Sequence, residues 1–477
     1  MAKPTRNLSP EYVKRTKQLR AKWQAIRCIM FAGILVIFMV IGLCMFARPK
    51  ISETEKRKLA EFPAPTAQTI WDGGFFTALQ TWYTDTYPLR EAMISGGASL
   101  ETLYGLKGDE IYGNVAKQVD EIPDVASPTV AKVIEKPATT EATNLPGMPK
   151  KKSTDSDAEN ATTTFALEEP EAGEDGTIRE EPETAGTVYI SDHKGFNVFG
   201  FNQSTADYYA SMVNTLRARM PKKVNFYEML VPTAYGVCLS DDIQESLGGS
   251  NESEAFDYIY NQLSPDVHAV SCINMLKKHN AEYIYFRTDH HWTALGAYYA
   301  YFELCRAMKV EPHTLDQFEK MEFDNFLGSF YSASNQSHEL AEAPDTVEAY
   351  VPMGTNILTC TDKDGSVYDW PVINDVSEYP SGMKYSCFIA ADNQISVVEN
   401  PQITDGSACV LLKESYGNAF APFLVDHYQT LYIIDYRYYR GDVGQLIRDN
   451  KVKDVILLNN AEALSTTHIE ELLSIFP

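Results

Sequence analysis

Two periodicities of apolar residues alternate along the C-terminal part of the chain, residues 188–477. A helix is predicted around residues 209–220, where apolar side chains recur every three or four positions. Apolar runs typical of buried strands lie at residues 224–231, 283–286, 409–412, 431–434 and 455–458, and helical patterns separate several of them, most clearly at 294–308 and 443–449. Strands that alternate with helices predict an α/β domain of three layers, in which helices cover both faces of a mostly parallel sheet.

Residues 309–400 interrupt this alternation. They are rich in the Asp, Ser and Gly residues that favour turns, and they lack a long helical pattern. We therefore expect a β-rich insertion near the functional site.

The N-terminus has the pattern of a membrane anchor. Residues 28–47 are twenty mostly apolar residues without a charge, enough for one transmembrane helix. Residues 1–27 form a basic tail with one acid, so the positive-inside rule places the tail in the cytoplasm and the rest of the chain outside. The alternative is a cleaved signal peptide, although the apolar stretch is longer than the usual signal core.

Two further segments precede the α/β domain. Residues 48–116 have helical character and enough aromatic side chains to predict packing on the main domain. Residues 117–187 are predicted to be a disordered acidic insert, since residues 120–186 hold sixteen acids, six bases and one aromatic residue, Phe165. So polar a segment buries too little apolar area to offset its ordering entropy. Its role could be that of a spacer or of a dispensable loop.

Charge and cysteine content narrow the partners and the chemistry. The formal net charge of −24 argues against a nucleic-acid partner and makes a neutral or cationic polymer easier to bind than a polyanion. Six cysteines lie in the part predicted to be exported, where disulfides can form. We predict a bond between Cys360 and Cys387, while Cys305 and Cys409 fit small core residues.

Candidate catalytic groups lie at two junctions between a predicted strand and a predicted helix. Asp289 and His291 are two apart, so in extended backbone they share a face and lie roughly 6–7 Å apart. Ser415 lies at the second junction. Carboxyl ends of parallel strands meet at one sheet edge, so the three side chains can form an activated nucleophile. A structural turn and a helix N-cap are the alternatives for these positions.

A metal site at this junction is disfavoured by the same pattern. The adjacent His290 and His291 would point to opposite faces of an extended segment, and no third ligand stands at the helical spacing of zinc proteases. Thr293 is predicted to cap the helix that follows.

Several neighbouring residues are candidates for contact with the substrate or the oxyanion. The Tyr416 N–H, Gly417 and the Asn418 side chain could stabilise an oxyanion near Ser415. We predict substrate contacts for Trp292, Asn418, Arg437 and Tyr416. Packing beneath the site is the alternative for the tryptophan, and a structural ion pair is the alternative for the arginine.

The Asp-His-His-Trp run at residues 289–292 resembles the signature of the DHHW protein family. It is also similar to the Asp-x-His-Trp motif of the periplasmic alginate O-acetylation proteins, which have a fold like that of SGNH hydrolases. The likeness covers most of residues 48–116 and 188–477. Glu414 departs from it, since an Asp is expected before the nucleophilic Ser415.

The resemblance implies a function for the predicted domain. It implies a membrane-anchored, extracytoplasmic O-acetyltransferase or acetyl esterase that acts on a polysaccharide without a cofactor. Ser415 would be the nucleophile, His291 the base and Asp289 the group that orients the base. A membrane-bound O-acyltransferase is implied as a partner. The alternatives are a catalytically silent glycan-binding or assembly protein and a metal-dependent hydrolase.

Overall fold

The computed structural model describes residues 51–52, 57–58, 61–65, 74–87, 119–125, 167–179, 183–185 and 188–477. The chain divides into two compact units, Met1–Gly105 and Leu106–Pro477. The predicted basic tail and anchor, residues 1–47, lie outside the described residues. In the described part of the chain, no helix is both long and apolar enough to cross a membrane.

The first unit contains a short strand pair and one helix among its described residues. Strands β1 (Ile51–Ser52) and β2 (Arg57–Lys58) pair in the antiparallel sense. Helix α1 (Gly74–Asp85) follows within the segment for which the sequence predicts helical character. Its Trp82 meets Phe62 edge to face, with ring centroids 4.8 Å apart.

The second unit holds the remaining strands and helices. Its strands are β3 (Glu183–Ala185), β4 (Val188–Ser191), β5 (Lys194–Phe196), β6 (Asn225–Val231), β7 (His268–Ala269), β8 (Glu319–Phe326), β9 (Asp345–Val351), β10 (Ile357–Thr361), β11 (Val367–Pro371), β12 (Ile395–Glu399), β13 (Ala408–Lys413), β14 (Thr430–Asp435) and β15 (Asp454–Asn460). Its α-helices are α2 (Gln203–Arg219), α3 (Ala234–Cys238), α4 (Asp241–Ser246), α5 (Glu252–Tyr260), α6 (Ile273–Lys278), α7 (Ala294–Met308), α8 (Ser329–Ala333), α9 (His338–Ala341), α10 (Gly417–Phe420), α11 (Val443–Asp449) and α12 (Thr466–Ser474). Short 3-10 helices lie at Leu315–Gln317, Ser381–Cys387, Ala421–His427 and Ala461–Ala463.

The central sheet is mixed and has the order β11-β10-β12-β14-β13-β15-β6-β7. Five neighbouring strands, from β14 to β7, run parallel. Strands β10, β11 and β12 extend this sheet through antiparallel pairs. The predicted α/β fold with a large, mostly parallel sheet is therefore confirmed, and the predicted β-rich insertion supplies one end of the sheet.

Helices cover both faces of the sheet. Asn459 of β15 donates to the hydroxyl of Tyr209 on α2 (2.9 Å). On the same strand, Asp454 accepts from Tyr428 (3.1 Å), whose hydroxyl also contacts the sulfur of Met308 at the end of α7. Residues five apart on a strand point to opposite faces, so α2 and α7 lie on opposite sides of the sheet.

Local signals in the sequence explain where the principal helices begin. Asn202 accepts from the N–H of Thr205 and so caps α2. Thr293 accepts from the N–H of Gly296 and caps α7, as predicted. Helix α7 ends at Met308 and is followed by Lys309, which adopts a left-handed conformation with φ of 59°.

The predicted strand at residues 283–286 does not belong to the sheet. Only Tyr285 forms a bridge there, to Trp292, within a tight turn of the chain. Its apolar residues Ile284, Tyr285 and Phe286 are fully buried, so the run has the composition of a strand because it lies in the core rather than because it pairs along the sheet.

The domain extends further toward the N-terminus than the predicted boundary at residue 188. Residues 167–179, assigned by the sequence to the acidic insert, dock on the domain. Glu169 forms ion pairs with Lys278 and Arg306, each at 2.8 Å. The acidic composition of residues 167–179 therefore does not prevent docking, because basic side chains on the domain form ion pairs with this segment.

The other end of the predicted insert is also held. The N–H of Asp120 donates to the carbonyl of Phe201 (3.0 Å), and its carboxylate accepts from the N–H of Gln203 (2.9 Å). Residues 119–125 thus contact the start of α2, whereas residues 126–166 lie outside the described part.

The predicted disulfide is absent. The six cysteines in the described residues are all free and buried. Cys360 lies on β10 with its sulfur 3.4 Å from the hydroxyl of Ser396, while Cys387 ends a 3-10 helix. Both side chains belong to the common hydrophobic core.

Candidate active site

The candidate nucleophile follows an interior strand of the sheet. Strand β13 pairs on both sides with parallel neighbours, β14 and β15. Ser415 lies two residues after this strand and two residues before α10. The turn is therefore fixed by a fully buried strand, and the side chain of Ser415 is half-buried at the carboxyl edge of the sheet.

The candidate base lies on a turn rather than at the end of a strand. The carboxylate of Asp289 accepts from the backbone N–H of His291 (3.1 Å), which closes a turn of two residues. The same oxygen lies 2.5 Å from Nδ1 of His291. Asp289 and His291 are thus neighbours, as predicted. They are brought together by a turn that the Asp289 side chain closes, and not by extended backbone.

The structure brings the three predicted catalytic residues together. Nε2 of His291 lies 2.8 Å from the hydroxyl of Ser415. Because Nδ1 faces a carboxylate, it carries the proton, and Nε2 is left to accept from the serine. Asp289 and His291 are both buried. This arrangement can remove a proton from a hydroxyl and stabilise the resulting imidazolium.

Two residues of the insertion hold Asp289 from behind. The N–H of Ser329 donates to the second carboxylate oxygen of Asp289 (2.7 Å). A Cβ at Gly328 would lie 2.2 Å from both the Cβ and the Oδ2 of Asp289. Only glycine allows this approach, so residues 328–329 set the position of the carboxylate.

A buried carboxylate anchors the backbone just before the candidate base. Asp345, at the start of β9, accepts from the backbone N–H groups of Arg287 (2.9 Å) and Thr288 (2.7 Å). It also accepts from the hydroxyls of Thr288 and Tyr283. Burial raises the pKa of Asp345 despite these donors. The insertion therefore fixes both the carboxylate and the chain that carries it.

Tyr385 links the candidate base to the candidate nucleophile. Its ring stacks on His291, with centroids 4.0 Å apart and planes 14° from parallel. Its hydroxyl donates to the carbonyl of Ser415 (3.0 Å). One side chain of the 3-10 helix in the insertion thus contacts the imidazole of His291 and the backbone of Ser415.

Glu414 occupies the backbone N–H groups around the nucleophile. One carboxylate oxygen accepts from the N–H of Tyr416 (3.0 Å), and the other accepts from the N–H of Asn460 (3.1 Å). The hydroxyl of Ser415 lies 3.4 Å from this carboxylate, farther than from the imidazole of His291. Burial raises the pKa of Glu414 to about 7.

The predicted oxyanion donors are therefore engaged elsewhere. Tyr416 donates its N–H to Glu414, and Gly417 donates its N–H to the carbonyl of the same residue (3.0 Å). The amide of Asn418 donates to Asp392 (3.0 Å). The N–H of Ser415 itself donates to no atom of the residues that the structure describes, which leaves it as a donor near the reacting hydroxyl.

The structure shows where the four residues predicted to contact substrate lie, and two of them, Trp292 and Tyr416, are core residues. Trp292 is fully buried and donates to the carbonyl of Tyr416 (2.9 Å). Tyr416 is also buried, and its hydroxyl donates to the carbonyl of His290. Both side chains lie beneath the site and hold its two halves together, so the packing alternative describes Trp292 correctly.

The other two predicted contacts belong to a polar network beside the nucleophile turn. Arg437 forms ion pairs with Asp435 (2.6 Å) and Asp392 (3.1 Å), and Lys413 reaches the same two carboxylates. Although burial opposes ionisation, Lys413 and Arg437 hold the pKa of Asp392 below its usual range. Asn418 donates to Asp392, and its Oδ1 is buried without a hydrogen-bond partner among the described residues.

Unusual backbone brings Asp392 to this network. Residues Ile389, Ala390 and Ala391 have φ values of 46°, 57° and 63°. Left-handed conformation costs a residue with a Cβ roughly 1–2 kcal/mol. Three such residues in succession place a carboxylate against the turn of Ser415, so packing of the insertion sustains the strain.

His290 lies beside His291 and does not point away from it. The ring centroids are 3.8 Å apart. Nδ1 of His290 lies 2.6 Å from the hydroxyl of Ser329 and 3.7 Å from Asp289. The prediction that the two histidines face opposite sides is wrong because residues 289–291 form a turn and not a strand.

Sequence reasoning missed Gly328, Ser329, Asp345 and Tyr385. These residues come from the insertion, and its polar composition does not predict which of its residues contact Asp289 and His291. A glycine followed by a serine at the start of a short helix is a weak signal of a backbone N–H site. The stacked tyrosine has no signal in the sequence.

The sequence match identifies the family. Residues 55–434 match the family model described as DHHW protein. The chain belongs to the DHHW family. The prediction from the Asp-His-His-Trp run is confirmed, and residues 289–292 of this DHHW protein form the turn that carries the candidate base. None of the curated proteins matches the chain in sequence.

Solved structures of other proteins are similar to this DHHW protein to different degrees. A DHHW family protein from Eubacterium siraeum is 28% identical, with a TM-score of 0.55 over 61% of this chain and 95% of that one. PatB1 from Bacillus cereus is 22% identical, with a TM-score of 0.51 over 59% of this chain and 98% of that one. The O-acetyltransferase domain of Pseudomonas putida AlgJ is 14% identical, with a TM-score of 0.32 over 60% of this chain and 95% of that one.

Proposed function

We propose that this DHHW protein is an O-acetyltransferase or acetyl esterase that acts on a polysaccharide through Ser415, His291 and Asp289. The observation that carries the proposal is the chain of contacts from hydroxyl to imidazole (2.8 Å) and from imidazole to carboxylate (2.5 Å). The choice of an acetyl ester rests on the resemblance of the Asp-x-His-Trp run to the alginate O-acetylation proteins.

The first half-reaction would acylate the serine. Ser415 attacks the carbonyl carbon of an acetyl ester while Nε2 of His291 takes its proton. The new C–O bond gives a tetrahedral oxyanion, for which the N–H of Ser415 is the available donor. When the bond to the leaving alcohol breaks, that alcohol takes the proton from His291, and Asp289 stabilises the imidazolium throughout.

The second half-reaction would transfer the acetyl group. A hydroxyl of the polysaccharide gives its proton to His291 and attacks the acetyl carbon, and the proton then returns to Ser415 as its ester bond breaks. Water in place of the sugar gives an esterase.

Mutation of the nucleophile tests the proposal. Ser415→Ala should abolish turnover of an acetyl ester such as p-nitrophenyl acetate and should prevent the mass increase caused by a sulfonyl fluoride. Ser386→Ala is a matched control, since that exposed hydroxyl donates to the carbonyl of Met383. Undiminished turnover by Ser415→Ala would exclude the serine mechanism.

We also propose an extracytoplasmic location, anchored by residues 28–47 with residues 1–27 in the cytoplasm. A single spanning helix gives no route for acetyl groups across a membrane, so a multi-span O-acyltransferase partner is proposed by analogy. Protease added to intact cells should cleave the C-terminal domain. Cleavage only after lysis would contradict this orientation.

A catalytically silent glycan-binding or assembly protein is the second candidate. It is favoured by the engagement of the Tyr416 N–H by Glu414, which removes a predicted oxyanion donor. Glycan binding that persists in Ser415→Ala, together with no ester turnover by the wild type, would establish this candidate.

A further inference from the structure

A group of potential metal ligands surrounds Asp289. The side chains of Asp289, His290 and His291 each offer a ligand atom, and these atoms all lie within 4.8 Å of one another. Nδ1 of His291 and Nδ1 of His290 lie 2.5 and 3.7 Å from the same carboxylate oxygen. No other such group occurs in the ranges that the structure describes.

The donor set suits a borderline divalent cation. Imidazole nitrogen and carboxylate oxygen are preferred ligands of Zn²⁺, with bonds of about 2.0–2.2 Å in a tetrahedron. Such bonds place the ligand atoms roughly 3.3 Å apart. This value lies between the distances from the Asp289 oxygen to Nδ1 of His291 (2.5 Å) and to Nδ1 of His290 (3.7 Å). Ser329, whose hydroxyl is 2.6 Å from Nδ1 of His290, lies beside the same position.

Solvent can reach the group from one side. The side chain of His290 is 29% exposed, whereas Asp289 and His291 are 2% and 8% exposed. A cation would therefore arrive along His290 and meet the two buried ligands behind it.

We propose that Asp289, His290 and His291 bind Zn²⁺ or a similar cation and that the bound cation inhibits the enzyme. The inference rests on the proposed function, because it concerns the same base. A cation on Nδ1 of His291 requires the other tautomer of the neutral ring, in which the single ring proton is on Nε2 instead of Nδ1. Nε2 can then donate to Ser415 but cannot accept from it.

The same cation would also remove the charge that supports catalysis. Asp289 would neutralise the metal instead of the imidazolium that forms when Ser415 loses its proton. Both effects act in one direction, so the metal-bound form should be inactive and removal of the metal should restore activity.

Zinc titration of the full chain and of His290→Gln tests the inference. The variant keeps Asp289, His291 and Ser415, so its turnover without metal is the reference for its own inhibition curve. We expect Zn²⁺ to inhibit wild-type turnover of p-nitrophenyl acetate and to inhibit the variant at least about tenfold more weakly, because loss of even an outer partner of a metal ligand weakens binding by about 10- to 100-fold and His290 is a direct ligand in this proposal.

Calorimetric binding of Zn²⁺ supplies a second measurement that does not depend on activity. Ser415→Ala should bind the metal like the wild type, since the serine is not a ligand, whereas His290→Gln should bind it more weakly. His290→Asn serves the same purpose if the glutamine variant does not fold.

The outcomes separate this inference from the proposed function. Equal inhibition of the wild type and both His290 variants, or no inhibition of an active wild type, would overturn the metal site and leave the serine mechanism intact. Loss of activity in a chelator with recovery in Zn²⁺ would overturn both, because the metal would then be required for turnover.

Discussion

Replacement of Tyr385 separates two contributions to the candidate site. Tyr385→Phe keeps the ring that stacks on His291 and removes the hydroxyl that donates to the carbonyl of Ser415. Tyr385→Leu removes both contacts. Tyr385→Phe therefore measures the contribution of the hydrogen bond alone. Tyr385→Leu measures the combined contribution of the hydrogen bond and the stacked ring.

The expected losses follow from these contacts. A hydrogen bond of this kind contributes about 0.5–1.5 kcal/mol, so Tyr385→Phe should lower kcat/KM by roughly 2- to 12-fold. The face of the Tyr385 ring against a positively charged His291 contributes a further energy of roughly 0.5–2 kcal/mol. Because His291 becomes positively charged only during the reaction, Tyr385→Leu should lose a further factor of about 2–30, mainly in kcat.

Steady-state turnover of p-nitrophenyl acetate measures both variants, with thermal unfolding to compare their stability. Tyr379→Phe is the matched control, since this tyrosine lies in the same insertion and its hydroxyl accepts a long bond of 3.4 Å from Asn374. Equal activity of Tyr385→Phe and Tyr385→Leu would refute a role for the ring face. Wild-type activity in both would refute the positioning role altogether.

Three further predictions concern the support of the site, pH and the insert. Gly328→Ala should displace Asp289 and reduce kcat by up to about 10⁴-fold, and an unchanged kcat would show that the carboxylate is not held there. Burial raises the pKa of Glu228 to about 8 from its ordinary 4.5. Between these pH values the folded protein keeps a proton on Glu228 that the unfolded chain has lost, so the melting temperature should fall as pH rises from 4.5 to 8. The fall should be less steep in Glu228→Gln. Deletion of residues 126–166 should leave the melting temperature unchanged, because the polar composition of this segment predicts little burial of apolar area. Deletion that extends through residues 167–179 should lower the melting temperature, and equal effects of the two deletions would contradict the revised boundary.

The sequence was sufficient for the strands and helices that have strong local patterns. The predicted helices at 294–308 and 443–449 coincide with α7 and α11, and the apolar runs after residue 408 coincide with strands β13 to β15. The run at 283–286 failed because full burial, not pairing, explains its apolar residues. Periodicity cannot distinguish these two causes in four residues.

Within the site, the sequence was informative about residue types and less so about geometry. Asp289, His291 and Ser415 are together as predicted, although the sheet positions only the serine. The oxyanion donors could not be predicted, because a carboxylate at position 414 competes for the Tyr416 N–H. That competition depends on side-chain direction, which spacing does not encode.

The separate support of the candidate nucleophile and the candidate base has a consequence for how such proteins diversify. The serine stands on the parallel sheet, but Asp289 rests against Gly328 and Ser329 and the neighbouring stack on His291 comes from Tyr385. Changes confined to the insertion could therefore disarm the base while the sheet, its core and the serine turn stayed folded. One scaffold could then give both a catalyst and an inert relative that still holds its ligand, and the sequence of the insertion, more than the presence of the serine, would tell the two apart.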